Sequence, residues 1–349
     1  QINALAKKEG FETDCDKAIG PESSCKAPGN IEFKGAALLG DLRAKEAVPE
    51  LIKGLKRKPE ISFFDPRSGA PGPSSHNAIL DSLRNIGATE AANDVYAYMK
   101  NPKTDDLIRP LAIDVFSMLS RDTKALGYLG KLVKDDEQEE PIRRAAALAY
   151  ARLVKSNKQL GPLQYMIDRY QKEADSKRAA ASKAKSKDEK ANFEDQALGY
   201  DALVRFFNEH MARAKTGIKC GDKAECYAGL LSKDADALIK ELGLKADGLK
   251  KAQKENLKIA VSERALLDIG KMGKKAAGTL DAVLLVAETQ ERIVRQGALL
   301  AMQSISEKPC KKCVERLDEI IAAQADQSTL AALTHDTKVV RNYLDRAAK

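Results

Sequence analysis

Six stretches of the chain place apolar residues at i, i+3 and i+7, and this recurrence constrains the fold more than any other feature. They are Val48/Leu51/Leu55, Ala92/Val95/Met99, Leu126/Leu129/Val133, Leu160/Leu163/Ile167, Leu280/Val283/Ala287 and Val314/Leu317/Ile321. Such spacing lines one face of a 3.6-residue helix. The first members are separated by 44, 34, 34, 120 and 34 residues, so one unit returns on a 34-residue period. Each triplet follows another amphipathic segment: Ala36–Leu42, Ile79–Gly87, Ile108–Leu119, Ile142–Leu153, Ile259–Gly270 and Val294–Ile305. The unit is a helical hairpin. Pro49, Pro110, Pro141 and Pro162 sit near segment starts, where a missing amide hydrogen costs nothing. One helical pair cannot bury its own stripe, so stacked pairs must share a core. The expectation is an all-α chain, an α-solenoid of stacked helical hairpins with irregular insertions. Composition agrees: aromatic residues are 5% and Trp is absent, which disfavours sheet.

The run Phe33-Lys34-Gly35-Ala36-Ala37-Leu38-Leu39-Gly40-Asp41-Leu42-Arg43-Ala44-Lys45-Glu46-Ala47-Val48-Pro49-Glu50-Leu51-Ile52 resembles a HEAT repeat. An Ala-rich first helix ends in Leu-Gly, and a short turn leads into an Ala-Val-Pro-x-Leu-Ile opening. Weaker copies begin at Ile86, Ile142 and Val294, and the resemblance covers most of residues 31–171 and 255–325. Tetratricopeptide repeats share the period, but their Trp/Leu-Gly/Tyr pattern is not found. The resemblance implies a bacterial HEAT-like scaffold with an extended surface for protein partners. The domain plan is an irregular arm with a local disulfide at 1–30 and a HEAT-like block at 31–171. A charged linker or helix extension at 172–192 and a C-terminal helical block at 193–349 complete it.

Three places break the period. Residues 59–75 hold four of the twelve prolines and read as a loop inserted between repeats. They place Phe63 and Phe64 side by side, and a Pro-restricted loop bearing an aromatic ring suits partner binding. Residues 172–192 carry seven basic and four acidic residues without one large apolar side chain, so no buried face is expected there. The span to residue 254 contains an amphipathic helix, Ala197–Met211, and a degenerate pair around Tyr227–Leu244.

The six cysteines form three sequence-local pairs: Cys15 with Cys25, Cys220 with Cys226, and Cys310 with Cys313. Local pairing closes small loops, and three disulfides imply an extracytoplasmic location, periplasmic or secreted. Cys310-Lys-Lys-Cys313 also has the spacing of a redox motif or half a zinc site. The redox reading requires a strand before it and a helix opening at the first cysteine. The flanks read as helical instead, and Cys220/Cys226 are too widely spaced for a zinc ribbon, although His210 lies upstream.

Catalytic signatures are not found. His76, His210 and His335 are not at i, i+4, and no G-x-S-x-G elbow or dinucleotide fingerprint appears. Gly270–Lys275 fails the Walker spacing and aligns with the repeat turn. Acidic pairs at 105–106, 135–136 and 139–140 precede helices, where negative charge is favourable. His76 and His335 are expected to be exposed. The net charge of +8 comes from basic residues interleaved with acids, so nucleic acid is not an expected partner. No apolar run is long enough to span a membrane, and without a basic-then-apolar leader the sequence reads as a mature or trimmed product. The expected function is therefore a non-enzymatic scaffold without cofactor or metal, docking protein partners in a larger assembly. A HEAT-like DNA-repair protein and a HEAT-like lyase are the alternatives.

Overall fold

The computed structural model describes residues 28–59, 74–246, 248–324 and 331–346. Phe63 and Phe64, expected to bind a partner, lie outside the described residues, and so do Cys15 and Cys25, expected to form a disulfide in the N-terminal arm. Regular structure among the described residues is helical, without a strand. The helices are α1 (Pro28–Asp41), α2 (Val48–Leu55), α3 (Ser75–Ile86), α4 (Ala92–Lys100), α5 (Arg109–Leu119), α6 (Leu126–Lys134), α7 (Glu140–Leu153) and α8 (Gly161–Lys183). They continue with α9 (Lys187–Cys220), α10 (Ala224–Leu231), α11 (Ala235–Leu242), α12 (Lys251–Met272), α13 (Leu280–Val286), α14 (Arg292–Ile305), α15 (Lys311–Ala323) and α16 (Ala331–Asp345). Two compact units result. Gln1–Arg121 and Glu307–Lys349 contribute to the first, and Asp122–Ser306 forms the second.

The apolar triplets set the helix register. Val48, Ala92, Leu126 and Leu280 each open a helix, and Leu160 directly precedes α8. A 3₁₀ segment leads into each of these five helices, a single turn at Lys45–Ala47, Thr89–Ala91, Thr123–Ala125 and Asn157–Gln159 and a seven-residue stretch at Gly273–Thr279. Ala47, Ala91 and Ala125 end their turns at one register and are buried, so a larger side chain there would push the turn off its neighbours. Pro49, Pro110, Pro141 and Pro162 all fall in the first two helical positions. Leu51 and Leu129 are fully buried, which is worth about 1.5–3 kcal/mol each. The last triplet departs from expectation, because Leu317 and Ile320 take the buried places and Ile321 is half-buried.

In the first unit, α1 and α3 approach closely because residue 40 is glycine. A Cβ there would lie 2.8 Å from the Ser82 Cα. The Ser82 hydroxyl contacts both the Ala36 carbonyl (2.7 Å) and the Ala78 carbonyl (2.5 Å). His76 is not exposed as expected: it is buried in the first turn of α3, with Nδ1 2.7 Å from the Tyr98 hydroxyl. Burial lowers the His76 pKa and pushes Tyr98 up to about 12. His335 is exposed, with Nε2 3.9 Å from an Asp41 carboxylate oxygen.

In the second unit, α8 and α9 form the longest hairpin, of 23 and 34 residues. Helix covers most of residues 172–192, broken at 184–186, where the Ser186 hydroxyl caps α9 by accepting from the Glu189 amide. The segment does bury a face, because Ala174 and Ala181 are enclosed. Alanine lets two helices close without large side chains, and the Arg178–Asp201 ion pair (2.5 Å) bridges the hairpin outside.

Candidate functional site

A cleft of about 660 Å³ opens in the second unit where α7, α9 and α12 meet, within the range of ligand and peptide clefts. One wall is a stripe along α9, Gln196, Tyr200, Leu203 and Phe206, spaced so that all four share a helix face. Across from it, α12 brings Gln253, Asn256 and Leu257, with Leu249 just before that helix. Glu140 and Arg144, one turn apart on α7, form an ion pair of 2.5 Å at the rim. The Arg144 guanidinium also lies 5.3 Å from the Phe206 ring centroid, a distance at which the ring face attracts a cation. Arg205 lines the cleft, and its charge acts on the Glu209 carboxylate one turn along α9. Beside it burial raises the Glu209 pKa, opposed by Arg213 and by a hydrogen bond with Asn256.

The cleft is backed by buried charge. Glu263 on α12 is bound by Arg152 from α7 (2.7 Å from Nε, 2.5 Å from Nη2) and by Arg213 from α9. Burial alone would raise its carboxyl, but the two guanidiniums outweigh burial and hold it at about 2. One residue along α12, the Arg264 guanidinium binds Asp268 (2.7 Å) and the Ala151 carbonyl (2.5 Å). It lies 3.3 Å from the Val154 carbonyl, so it neutralises the carbonyl end of α7. The Tyr227 hydroxyl donates to Asp268 (2.8 Å). Burial would also raise Asp268, yet Arg264 and Lys271 keep it below the usual carboxylate range.

His210 lies between this network and the aromatic side of α9. Its Nδ1 is 3.2 Å from an Arg213 guanidinium nitrogen. A guanidinium only donates, so Nδ1 accepts and the proton sits on Nε2. That nitrogen is buried without a hydrogen-bond partner, and the Phe206 ring centroid lies 4.3 Å from the imidazole. Burial first and Arg213 second hold the His210 pKa well below its ordinary value. The ring stays neutral at ordinary pH.

Among the described residues, no group of three or more His, Cys, Asp or Glu side chains is placed to share a metal ion. No helix among them is long and apolar enough to cross a membrane. Of the three expected disulfides, two are formed among the described residues, Cys220–Cys226 and Cys310–Cys313. The third, Cys15 with Cys25, lies outside the described residues. Cys220 ends α9, and Cys310 is the N-cap of α15, so the last pair does lie where a helix opens. The acidic pairs behave as turn and rim groups: Asp105 accepts from the Leu107 amide (2.8 Å) and Asp135 from the Glu137 amide (3.0 Å). The sequence reading missed the cleft itself. Its signal was present in the amphipathic pattern of 197–211, but the charges that back it are contributed by three helices. No known protein family model matches the chain, and no curated protein matches it either.

Proposed function

We propose that the chain is a non-enzymatic docking scaffold, a solenoid of HEAT-like hairpins that works outside the cytoplasm and seats a segment of a partner protein in the α9 cleft. The stripe of Gln196, Tyr200, Leu203 and Phe206 carries this reading. A wall with apolar groups at helical spacing accepts the anchors of an amphipathic segment. The segment that fits presents apolar side chains to Tyr200, Leu203 and Phe206 and an acidic group to Arg205. Gln253 and Asn256 offer hydrogen bonds at the opposite wall. The Arg152–Glu263–Arg213 network ties the wall helices together, so little ordering is left to be done on binding. Two formed disulfides support the extracytoplasmic part of the proposal.

A photo-crosslinking residue placed at Leu203 in the native host tests it, with Lys172 on the exposed side of α8 as control. The expected outcome is one discrete adduct from Leu203 and none from Lys172, with Arg205→Glu lowering its yield at least tenfold. Equal labelling from both positions, or an adduct indifferent to Arg205→Glu, would remove the cleft from the proposal.

A further inference from the structure

We infer that Cys310–Cys313 is an exchangeable, oxidising disulfide that accepts two electrons from a dithiol of a partner protein, whereas Cys220–Cys226 is a permanent clip. The argument starts from where the four sulfurs sit on their helices. Cys310 is the N-cap of α15, a 13-residue helix, and its Sγ accepts the Cys313 amide hydrogen at 3.3 Å. Both sulfurs therefore lie at the positive pole of a helix, where a thiolate is stabilised. Lys311 and Lys312 separate the two cysteines. Lys308 lies two residues before Cys310, with its ammonium 4.0 Å from the Tyr343 ring centroid. A reduced form stabilised in this way makes the disulfide a stronger oxidant.

The other bridge differs at one sulfur, since Cys226 also lies in the first turn of a helix, α10, and only its partner has the opposite placement. Cys220 is the last residue of the 34-residue α9, at the negative pole, and is 2% exposed. Attack at the more open Cys226 would expel a Cys220 thiolate into that unfavourable position. A poor leaving thiolate slows exchange and favours the oxidised form. Accessibility favours attack on Cys226, which is half-buried where Cys310 and Cys313 are buried, so what sets the bridges apart is the pole at which the leaving sulfur sits, positive for Cys313 and negative for Cys220.

Cys310 is 9% exposed and Cys313 0%, so of the two buried cysteines Cys310 is the one that an incoming thiolate meets first. It bonds to the Cys310 sulfur, the bridge breaks, and Cys313 leaves as a thiolate that takes up a proton. The partner's second thiolate then attacks the partner sulfur of the mixed disulfide, forming the partner's own disulfide and releasing the Cys310 thiolate at the helix end. The partner dithiol loses two electrons and two protons, and the cysteine pair gains them.

The test equilibrates the full chain anaerobically in a series of glutathione buffers, followed by acid quench, alkylation and mass spectrometry of both bridges. Cys310–Cys313 should show an equilibrium constant for reduction at least 100-fold larger than Cys220–Cys226, about 60 mV for a two-electron couple. The oxidised chain should also consume one equivalent of a peptide carrying two cysteines, and the Cys310→Ser/Cys313→Ser variant none. Constants equal within about threefold, or a Cys310–Cys313 bridge that is the harder to reduce, would overturn the inference, as would consumption of the peptide by the double-serine variant. Because both bridges are read in one wild-type molecule, a variant that fails to fold leaves the ranking intact.

Discussion

Around α1 and α3 the first unit is filled by Ala36, Leu39, Ile79, Leu80 and Leu83, and its enclosed polar groups include serine hydroxyls that bond backbone carbonyls. At the α7–α9–α12 junction the second unit instead encloses Arg152, Arg213, Glu263, Arg264 and Asp268. Two glycines make the difference concrete. Gly40 admits the backbone of a neighbouring helix, and Gly217 admits a guanidinium, since a Cβ at Gly217 would lie 2.0 Å from Arg264 Nη2. Around α1 and α3 the helices close on apolar side chains. Where the long α8–α9 hairpin interrupts the period, charge fills the junction and ties three helices at chosen points. Such a network need not add net stability over an apolar core, but breaking it is expensive.

The largest expected effect follows from that asymmetry. Glu263→Gln leaves Arg152 and Arg213 buried without a counter-charge, and should cost about 3–5 kcal/mol. Hydrogen exchange should speed up in α7, α9 and α12 while α1 and α3 keep their protection; uniform loss across both units would break the comparison. The paired glycines come next. Gly217→Ala should be the worse of the two, about 3 kcal/mol, because it drives the Arg264 guanidinium away from Asp268 and the Ala151 carbonyl. Gly40→Ala should cost about 1–3 kcal/mol, from helix displacement alone. Denaturant titrations of both variants give the order.

The smallest effect concerns acid. His210 has a folded pKa held well below 6.5, so below that value the unfolded chain binds a proton that the folded chain does not. Stability then falls with pH by up to about 1.4 kcal/mol per unit. Glu263, depressed to about 2, adds its own loss only below its ordinary 4.5. Between pH 7.5 and 5, His210→Met should flatten the fall for the second unit, read by exchange on α9 and α12. Since His76 is also lowered by burial, α3 should keep its acid sensitivity in that variant; a slope unchanged on α9 would remove His210 from the account.

Much of the local structure was legible. Val48, Ala92, Leu126 and Leu280 open helices where the triplets place them, and the four prolines sit in first turns. Two of the cysteine pairs close as their spacing suggests, while the expected link from Cys15 to Cys25 lies outside the described residues. Residues 172–192 are largely the helix extension that was one of the two expectations, but their buried face was missed because the absence of large apolar groups was equated with the absence of such a face, whereas Ala174 and Ala181 suffice at a close helix contact. His76 was misread because a histidine after a Pro-rich loop carries no local mark of burial. The cleft was half legible: its apolar stripe lies on one helix, and its opposite wall comes from residues about 50 positions later.

The sequence by itself determined the helices, their register and the turns that lead into them, because i, i+3, i+7 spacing, proline position and small-residue turns act within a few residues of chain. Only the tertiary structure decided which charges are buried and where the cleft opens. Glu263 meets Arg152 across 111 residues and Arg213 across 50, and no local pattern distinguishes these side chains from the many Arg and Glu that remain in water. Whether a charge is solvated or enclosed depends on what a distant helix brings opposite it, and that is a property of packing.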